Sequence, residues 1–151
     1  IEIFKENVFE NSITNETADF VISGFGLKSL DNEQLGKLAN EIDRILKQNG
    51  EFSLIDISVP KSKILKPIYM FYLKNIIPVF GKVFLGNSET YRMLGIYTEK
   101  FENSKNVYKI FNRPEFEIEY VEYFYGCASG IKGKKITPDA ASLRSRHAIA
   151  W

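Results

Sequence analysis

The feature that most constrains the fold is a strand, a capped helix and a second strand within about 40 residues, between Asp19 and Ile57. Phe20 to Ser23 is apolar and rich in strand formers, and it stops at Gly24-Phe25-Gly26. Asp31 stands where a helix N-cap is needed, with Gln34 at the capping-box position. Leu35, Leu38, Ala39, Ile42, Ile45 and Leu46 then recur at helical spacing, while Lys37, Glu41, Arg44 and Lys47 fall outside that stripe. Asn49-Gly50 is the expected helix stop, because both residues tolerate left-handed backbone. In the next strand Phe52 and Leu54 point one way and Ile55 and Ile57 the other, which predicts cover on both faces. A βαβ unit of this kind places two strands in parallel, and open α/β sheets bind ligands at the carboxyl ends of such strands.

The rest of the chain extends this plan. Residues 1–5 suit a short strand leading into a polar turn from Asn11 to Thr17. Pro60 to about Asn87 is helical in pattern, aromatic-rich and expected to break at Pro78; further helices are expected from about Ser88 to Tyr97 and from about Ser104 to Phe111. Phe116 to Phe124 alternates as a strand, Gly126 turns the chain, and Ala128 to Lys134 suits a closing strand. Residues 1–135 thus form one domain, and residues 136–151 read as an unstructured or foreign tail. Lys66, Lys74 and Lys82, with Pro67 and Pro78, interrupt the most apolar region, Ile64 to Leu85, so it is not a membrane span. The chain opens Ile-Glu-Ile-Phe without an initiator methionine and reads as a piece of something longer.

Charge excludes one class of partner. Lys plus Arg is 20 and Asp plus Glu 19, a balance with no pull toward nucleic acid. Tyr120, Tyr123, Phe124 and Tyr125 lie among Glu117, Glu119 and Glu122, whose charge opposes a base-stacking role. Cys127 is the sole cysteine, which excludes an intrachain disulfide and points to a reducing, cytoplasmic setting. With a single histidine, His147, the composition supplies neither a zinc set nor a Ser-His-Asp or Cys-His arrangement in the body.

Four blocks in order resemble the ubiquinone/menaquinone biosynthesis C-methyltransferases, a class I family that uses S-adenosylmethionine. They are Asp19 to Ser29, Arg44 to Gly50, Tyr69 to Gly81 and Thr90 to Leu94, the last two being the more specific. The resemblance implies an α/β, Rossmann-like class I methyltransferase sheet made of the C-terminal strands, with a helical insertion and the N-terminal part missing. It implies methyl transfer to a ring carbon of a lipophilic, prenylated quinol, with S-adenosylmethionine as cofactor and no metal. It also allows peripheral membrane contact and a homodimer.

Residue by residue, the resemblance puts Asn7 and Val8 at the adenine. Ser23, Gly24 and Phe25 fall beside the methionine part of the cofactor, Lys28 and Ser29 at the catalytic pair, and Tyr69, Phe71, Tyr72, Tyr91 and Arg92 in the substrate cover. Read from the residues alone, Gly24-Phe25-Gly26 is first a strand-to-helix turn that needs flexible backbone, Tyr69 to Tyr72 are first core aromatics, and Tyr91-Arg92 is equally a surface pair.

The chain departs from the family in specific places. Lys28-Ser29 stands where the family has Arg-Asn, and an ammonium does not replace a planar guanidinium. Ile131 stands where some members have a histidine. No strand followed by G-x-G-x-G is present, so residues 1–151 alone are expected to bind the cofactor negligibly and to aggregate. A different methyl acceptor, or a binding domain without catalysis, are the other readings.

Overall fold

Helix α1 begins where its cap demands. The Asp31 carboxylate accepts the Gln34 backbone N–H at 2.8 Å, and the Gln34 side chain accepts the Asp31 N–H at 3.0 Å. This reciprocal pair satisfies two donors that the first helical turn leaves over. In the computed structural model, which describes residue 3 and residues 5–85 and 89–137, α1 spans Asn32–Ile45 and buries Leu35, Leu38, Ala39 and Ile42. It ends four residues before the expected stop at Asn49. Leu46 is fully buried and already belongs to β2, and Asn49 adopts its left-handed backbone (φ 67°) inside that strand.

The reason is a bulge. Strand β1 (Ala18–Gly24) runs parallel to β2 (Leu46–Ile57), but the pairing moves from Ala18 opposite Leu46 to Phe20 opposite Glu51. Lys47, Gln48 and Asn49 are exposed in the bulge, and a Cβ at the buried Gly50 would meet the Leu46 side chain and the Lys47 carbonyl at 2.9 Å. The sequence signal at Asn49-Gly50 therefore marks left-handed backbone correctly, in a bulge and not a helix cap.

Strands β3 (Phe116–Tyr123) and β4 (Ala128–Lys135) complete a four-stranded sheet of order β1-β2-β4-β3, with β4 antiparallel to both neighbours. α1 and α5 (Lys105–Phe111) pack on one face. The core there joins Leu27, Leu54 and Ile131 to a ring cluster in which Phe52 lies 5.1 Å from Phe116 and 5.8 Å from Phe111. Among the described residues the expected cover on both faces is not found. Phe20 and Ile22 are 68 and 80 % exposed on the other face, above a shallow depression of about 450 Å³, while Ile55 and Ile57 are only partly buried. Among the described residues β1 also has no second partner strand, so it is an edge.

Between β2 and α5 lies the helical insertion. α2 (Leu65–Phe71) runs through a π turn at Tyr72–Ile76 into α3 (Ile77–Leu85), and α4 (Glu89–Phe101) returns beside them. Pro78 does not break the helix. Its missing N–H and its ring conflict with a regular ladder, and the π turn just before it, where Ile77 N–H reaches Tyr72 O, widens the helix to admit it. Gly95 of α4 lets the helices approach, since a Cβ there would meet the Lys74 side chain at 2.8 Å. Residues 1, 2 and 4 of the first expected strand, Ser88, and residues 138–151 of the expected tail lie outside the described residues. Among the described residues no helix is long and apolar enough to cross a membrane.

The β2–β4 contact offers a test. A Cβ at Gly130 would overlap the Leu54 carbonyl, whereas one at Gly24 meets nothing within 4 Å. Gly130→Ala should lower stability by about 1–3 kcal/mol in urea unfolding, and Gly24→Ala should stay within about 0.5 kcal/mol. Equal effects would contradict this packing.

Candidate functional site

Strands β1 and β2 end side by side, with Gly24 opposite Ile55. Phe25 turns out of β1 in left-handed backbone (φ 66°), and its N–H donates to Ile55 O at 2.9 Å. A single 3-10 turn, Leu27–Ser29, follows and plugs Leu27 into the core. This turn is locked by one side chain. Asp56, fully buried near the end of β2, accepts the Lys28 backbone N–H at 2.9 Å on Oδ2. Its Oδ1 accepts the Lys28 ammonium at 2.8 Å and the Ile57 N–H at 2.7 Å. The ammonium also donates to Phe25 O at 2.6 Å and lies 6.0 Å from the Phe25 ring centre.

Lys28 is thus a fixed cation, with its side chain 9 % exposed. Two of its three ammonium N–H groups are engaged, which leaves one for a ligand. The Ser29 hydroxyl donates to Gly26 O at 2.7 Å and so serves the turn itself. Lys28 and Ser29 line a cleft of about 750 Å³ together with Asp31, Tyr97, Lys100 and Asn106. At the strand end Ser23 is half-buried, and open space lies over Gly24 where a Cβ would stand.

The other expected site residues divide. Asn7 and Val8 sit on an exposed turn where Asn7 Oδ1 accepts the Phe9 N–H at 3.1 Å. That turn is tied through Asn11 to Glu41 and Arg44 of α1, and no hydrogen bond joins it to Ser23, Gly24 or Phe25. Arg44 holds the Glu41 carboxyl below its usual range. Tyr69 faces the sheet: its hydroxyl donates to Cys127 O at 3.2 Å, and burial pushes the phenol up to about 12. Phe71 is exposed on the other side of the helix, while Tyr72, one turn on from Tyr69 and 41 % exposed, is close enough to raise the Tyr69 phenol further. Tyr91 is half-buried against Gly81, and Arg92 is exposed.

Sequence reasoning missed Asp56, although one signal was present: a single acid inside the buried run Phe52 to Ile57 needs a partner. It also missed Ser58, whose hydroxyl donates to Gly126 O at 2.8 Å, and the buried Ser104–Ser129 pair. Phe124 and Tyr125, read as part of a half-buried strand, instead leave β3 in left-handed backbone and are 79 and 92 % exposed. Burial raises the Cys127 thiol above its ordinary range, the setting of an inert cysteine. Among the described residues no three His, Cys, Asp or Glu side chains converge as metal ligands do.

Two outcomes follow from this geometry. Asp56→Ala leaves a buried ammonium without its counter-charge and should destabilise by about 3–5 kcal/mol in thermal or urea unfolding; a change below about 0.5 kcal/mol would contradict the lock. Tyr69 and Tyr120 both carry phenols pushed up to about 12, Tyr120 by burial and by its bond to Glu122. Because the folded values lie above the ordinary 10.0, their contribution is fully present below pH 10 and is lost as pH rises toward 12. A tyrosinate absorbance titration should therefore show a late-ionising fraction that shrinks in Tyr69→Phe and in Tyr120→Phe. A single transition near 10 in the wild-type protein would contradict it.

Comparison with known proteins adds a family and a fold. The family model described as the ubiE/COQ5 methyltransferase family matches residues 1–135. A demethylmenaquinone methyltransferase of Alkalihalophilus pseudofirmus is 32% identical over 132 residues, covering 85% of this chain and 55% of that protein. One of the same name from Staphylococcus saprophyticus is 32% identical over 108 residues, covering 72% and 46%. The chain spans about half the length of the curated relatives it matches. A SAM-dependent methyltransferase of Thermotoga maritima has a similar fold, with a TM-score of 0.55 at 15% identity over 89% of this chain and 64% of that one.

Proposed function

Because the chain belongs to the ubiE/COQ5 methyltransferase family, we propose that its protein transfers a methyl group from S-adenosylmethionine to a ring carbon of a lipophilic, prenylated quinol. Residues 1–135 supply the acceptor side of that site. The observation that carries the reading is the Lys28–Asp56 lock, a fixed cation at the carboxyl end of the parallel strands and on the wall of a cleft. The relatives' printed name, demethylmenaquinone methyltransferase, supports a quinone-type acceptor.

The chemistry asks for an electron-rich ring and little bulk water. Ionising the quinol hydroxyl raises electron density on the neighbouring ring carbon. S-adenosylmethionine, when bound, would supply an electrophilic sulfonium methyl to that carbon, with its sulfur leaving as the neutral thioether and the ring proton passing to solvent. In this reading the remaining N–H of Lys28 holds the developing phenolate, and Asp56 keeps the ammonium in place before the acceptor arrives. A water held near Lys28 or Ser29 takes the phenol proton. Tyr69, a phenol already neutral at physiological pH and pushed further up by burial, helps close the edge over β4 and takes no proton.

The cofactor fits one half of its expected surroundings. Open space over Gly24, with Ser23 and the exposed Phe25 beside it, suits the methionine part, and Asn7 and Val8 are assigned to the adenine by family position alone. No glycine-rich G-x-G-x-G loop is present in this sequence, so residues 1–151 are assigned only part of the cofactor's surroundings. The prenyl tail brings a peripheral membrane contact into the same reading, and pairing of two copies is compatible with it. The Lys28-Ser29 pair, in place of Arg-Asn, favours a second reading in which the same machinery serves a different acceptor.

Kinetics test the assignment. In the protein carrying its natural upstream sequence, Lys28→Ala should lower turnover about 10²-fold with little change in S-adenosylmethionine affinity, and Lys28→Arg should retain most of the activity in a protein that melts normally. Equal loss of both quantities, or of neither, contradicts the role. Residues 1–151 alone should give no measurable heat with S-adenosylmethionine in calorimetry, and micromolar binding would contradict the division of the site.

A further inference from the structure

The cleft beside Lys28 has a second charged wall. α4 packs against the Leu27–Ser29 turn, and its end brings Tyr97, Lys100, Phe101 and Glu102 into the cleft that the segment from Lys28 to Leu35 also lines. Three carboxylates line that cleft, and two are committed elsewhere. Asp31 caps α1 through the Gln34 N–H, and Glu33 pairs with Lys37 at 2.8 Å. Glu102 is exposed, and among the described residues no hydrogen bond or ion pair engages its carboxylate. Its backbone, by contrast, is held on both sides. Glu102 follows the last residue of α4 in left-handed backbone (φ 57°). Its N–H donates to Thr98 O at 3.0 Å, and its carbonyl accepts the Val59 N–H at 2.7 Å. Glycine reaches this conformation at least cost at a helix end, so a glutamate here stands against a local preference.

The exit of β2 therefore sets two charges at once. Asp56, near the end of that strand, fixes the Lys28 ammonium, and Val59, three residues on, holds the backbone of Glu102. A cation with one N–H to spare and an unengaged carboxylate thus line one cleft. We propose that Glu102 receives the phenol proton of the methyl acceptor, through the water that serves Lys28 and Ser29, while the ammonium keeps the phenolate oxygen. The proposal rests on the quinol reading of the same site and adds the group that stores the proton. The phenol O–H bond breaks, its electron pair stays on the oxygen, and the water passes one proton on to a carboxylate oxygen. Phenol and carboxylate become phenolate and carboxylic acid, so the net charge of the cleft does not change. Glu102 then returns its proton to solvent. In the cleft it has Lys28, Lys100, Tyr97, Asp31 and Glu33 for charged or titratable company. On its other side, in a hollow of about 230 Å³, it is joined by Lys61, Lys66 and Glu99. Glu33 is the natural control, because it shares the cleft and is already paired.

Kinetics against pH test the proposal, using the protein with its natural upstream sequence and a short-chain prenylated quinol. Glu102→Gln should lower kcat about 10²-fold at neutral pH, leave S-adenosylmethionine affinity unchanged and abolish the acid limb of the kcat profile. Glu102→Gly should lose as much turnover yet melt higher than the wild type, because glycine relieves the left-handed backbone. Added formate should restore part of the turnover of Glu102→Gly. Glu33→Gln should keep both the rate and the acid limb. A Glu102→Gln protein with wild-type kcat and an intact acid limb would overturn the proposal. So would a loss of turnover that tracks a lower melting temperature and is not rescued by formate, since that assigns Glu102 to structure alone. A wild-type protein that methylates no quinol would overturn the quinol reading and this proposal with it. An active wild type with an indifferent Glu102 would overturn this proposal alone.

Discussion

A fully buried carboxylate must be surrounded by donors or it destabilises what surrounds it. Asp56 meets that demand with the Lys28 ammonium, the Lys28 backbone N–H and its own neighbour Ile57. Those bonds join the exit of β1 to the end of β2 and fix the turn that follows. Through the same ammonium they also hold the carbonyl of Phe25, a residue in left-handed backbone. The geometry of the strand ends, and the cleft beside them, depends on this one lock. A buried pair of this sort is weak evidence for stability as such. Its place at the carboxyl edge of a parallel pair is what the proposed role of Lys28 builds on.

Most of the architecture was legible in the sequence because it rests on local rules. The Asp31 cap, the stripe from Leu35 to Ile42 and the alternation from Phe116 onward each declare an element without reference to the rest. The failures share a cause, which is competition from tertiary structure. Asn49-Gly50 carries the signal of a left-handed residue, but only the pairing of Leu46 with Ala18 decides that it serves a bulge. Pro78 signals a break, and only the π turn before it shows how the helix continues. Alternation in β2 predicts two covered faces, yet α1 and α5 both pack on one.

The candidate site was legible in outline and not in its wiring. Lys28 was singled out by position, whereas its partner lies 28 residues away and only the sheet brings the two together. Family position placed Tyr69, Phe71 and Tyr72 in one cluster; the helix bonds Tyr69 to Cys127 O, leaves Phe71 exposed and keeps Tyr72 close to the Tyr69 phenol. Among the described residues one sheet face is uncovered and β1 is an edge, and the chain spans about half the length of the curated relatives it matches.

The central claim concerns the destination of a methyl group, and isotope labelling reads it most directly. With S-adenosylmethionine bearing a ¹³C-labelled methyl, the protein in its natural length and a prenylated quinol, NMR of the product should show the label on a ring carbon. Label on an oxygen, or an unlabelled quinol after prolonged incubation with folded protein, would contradict the account.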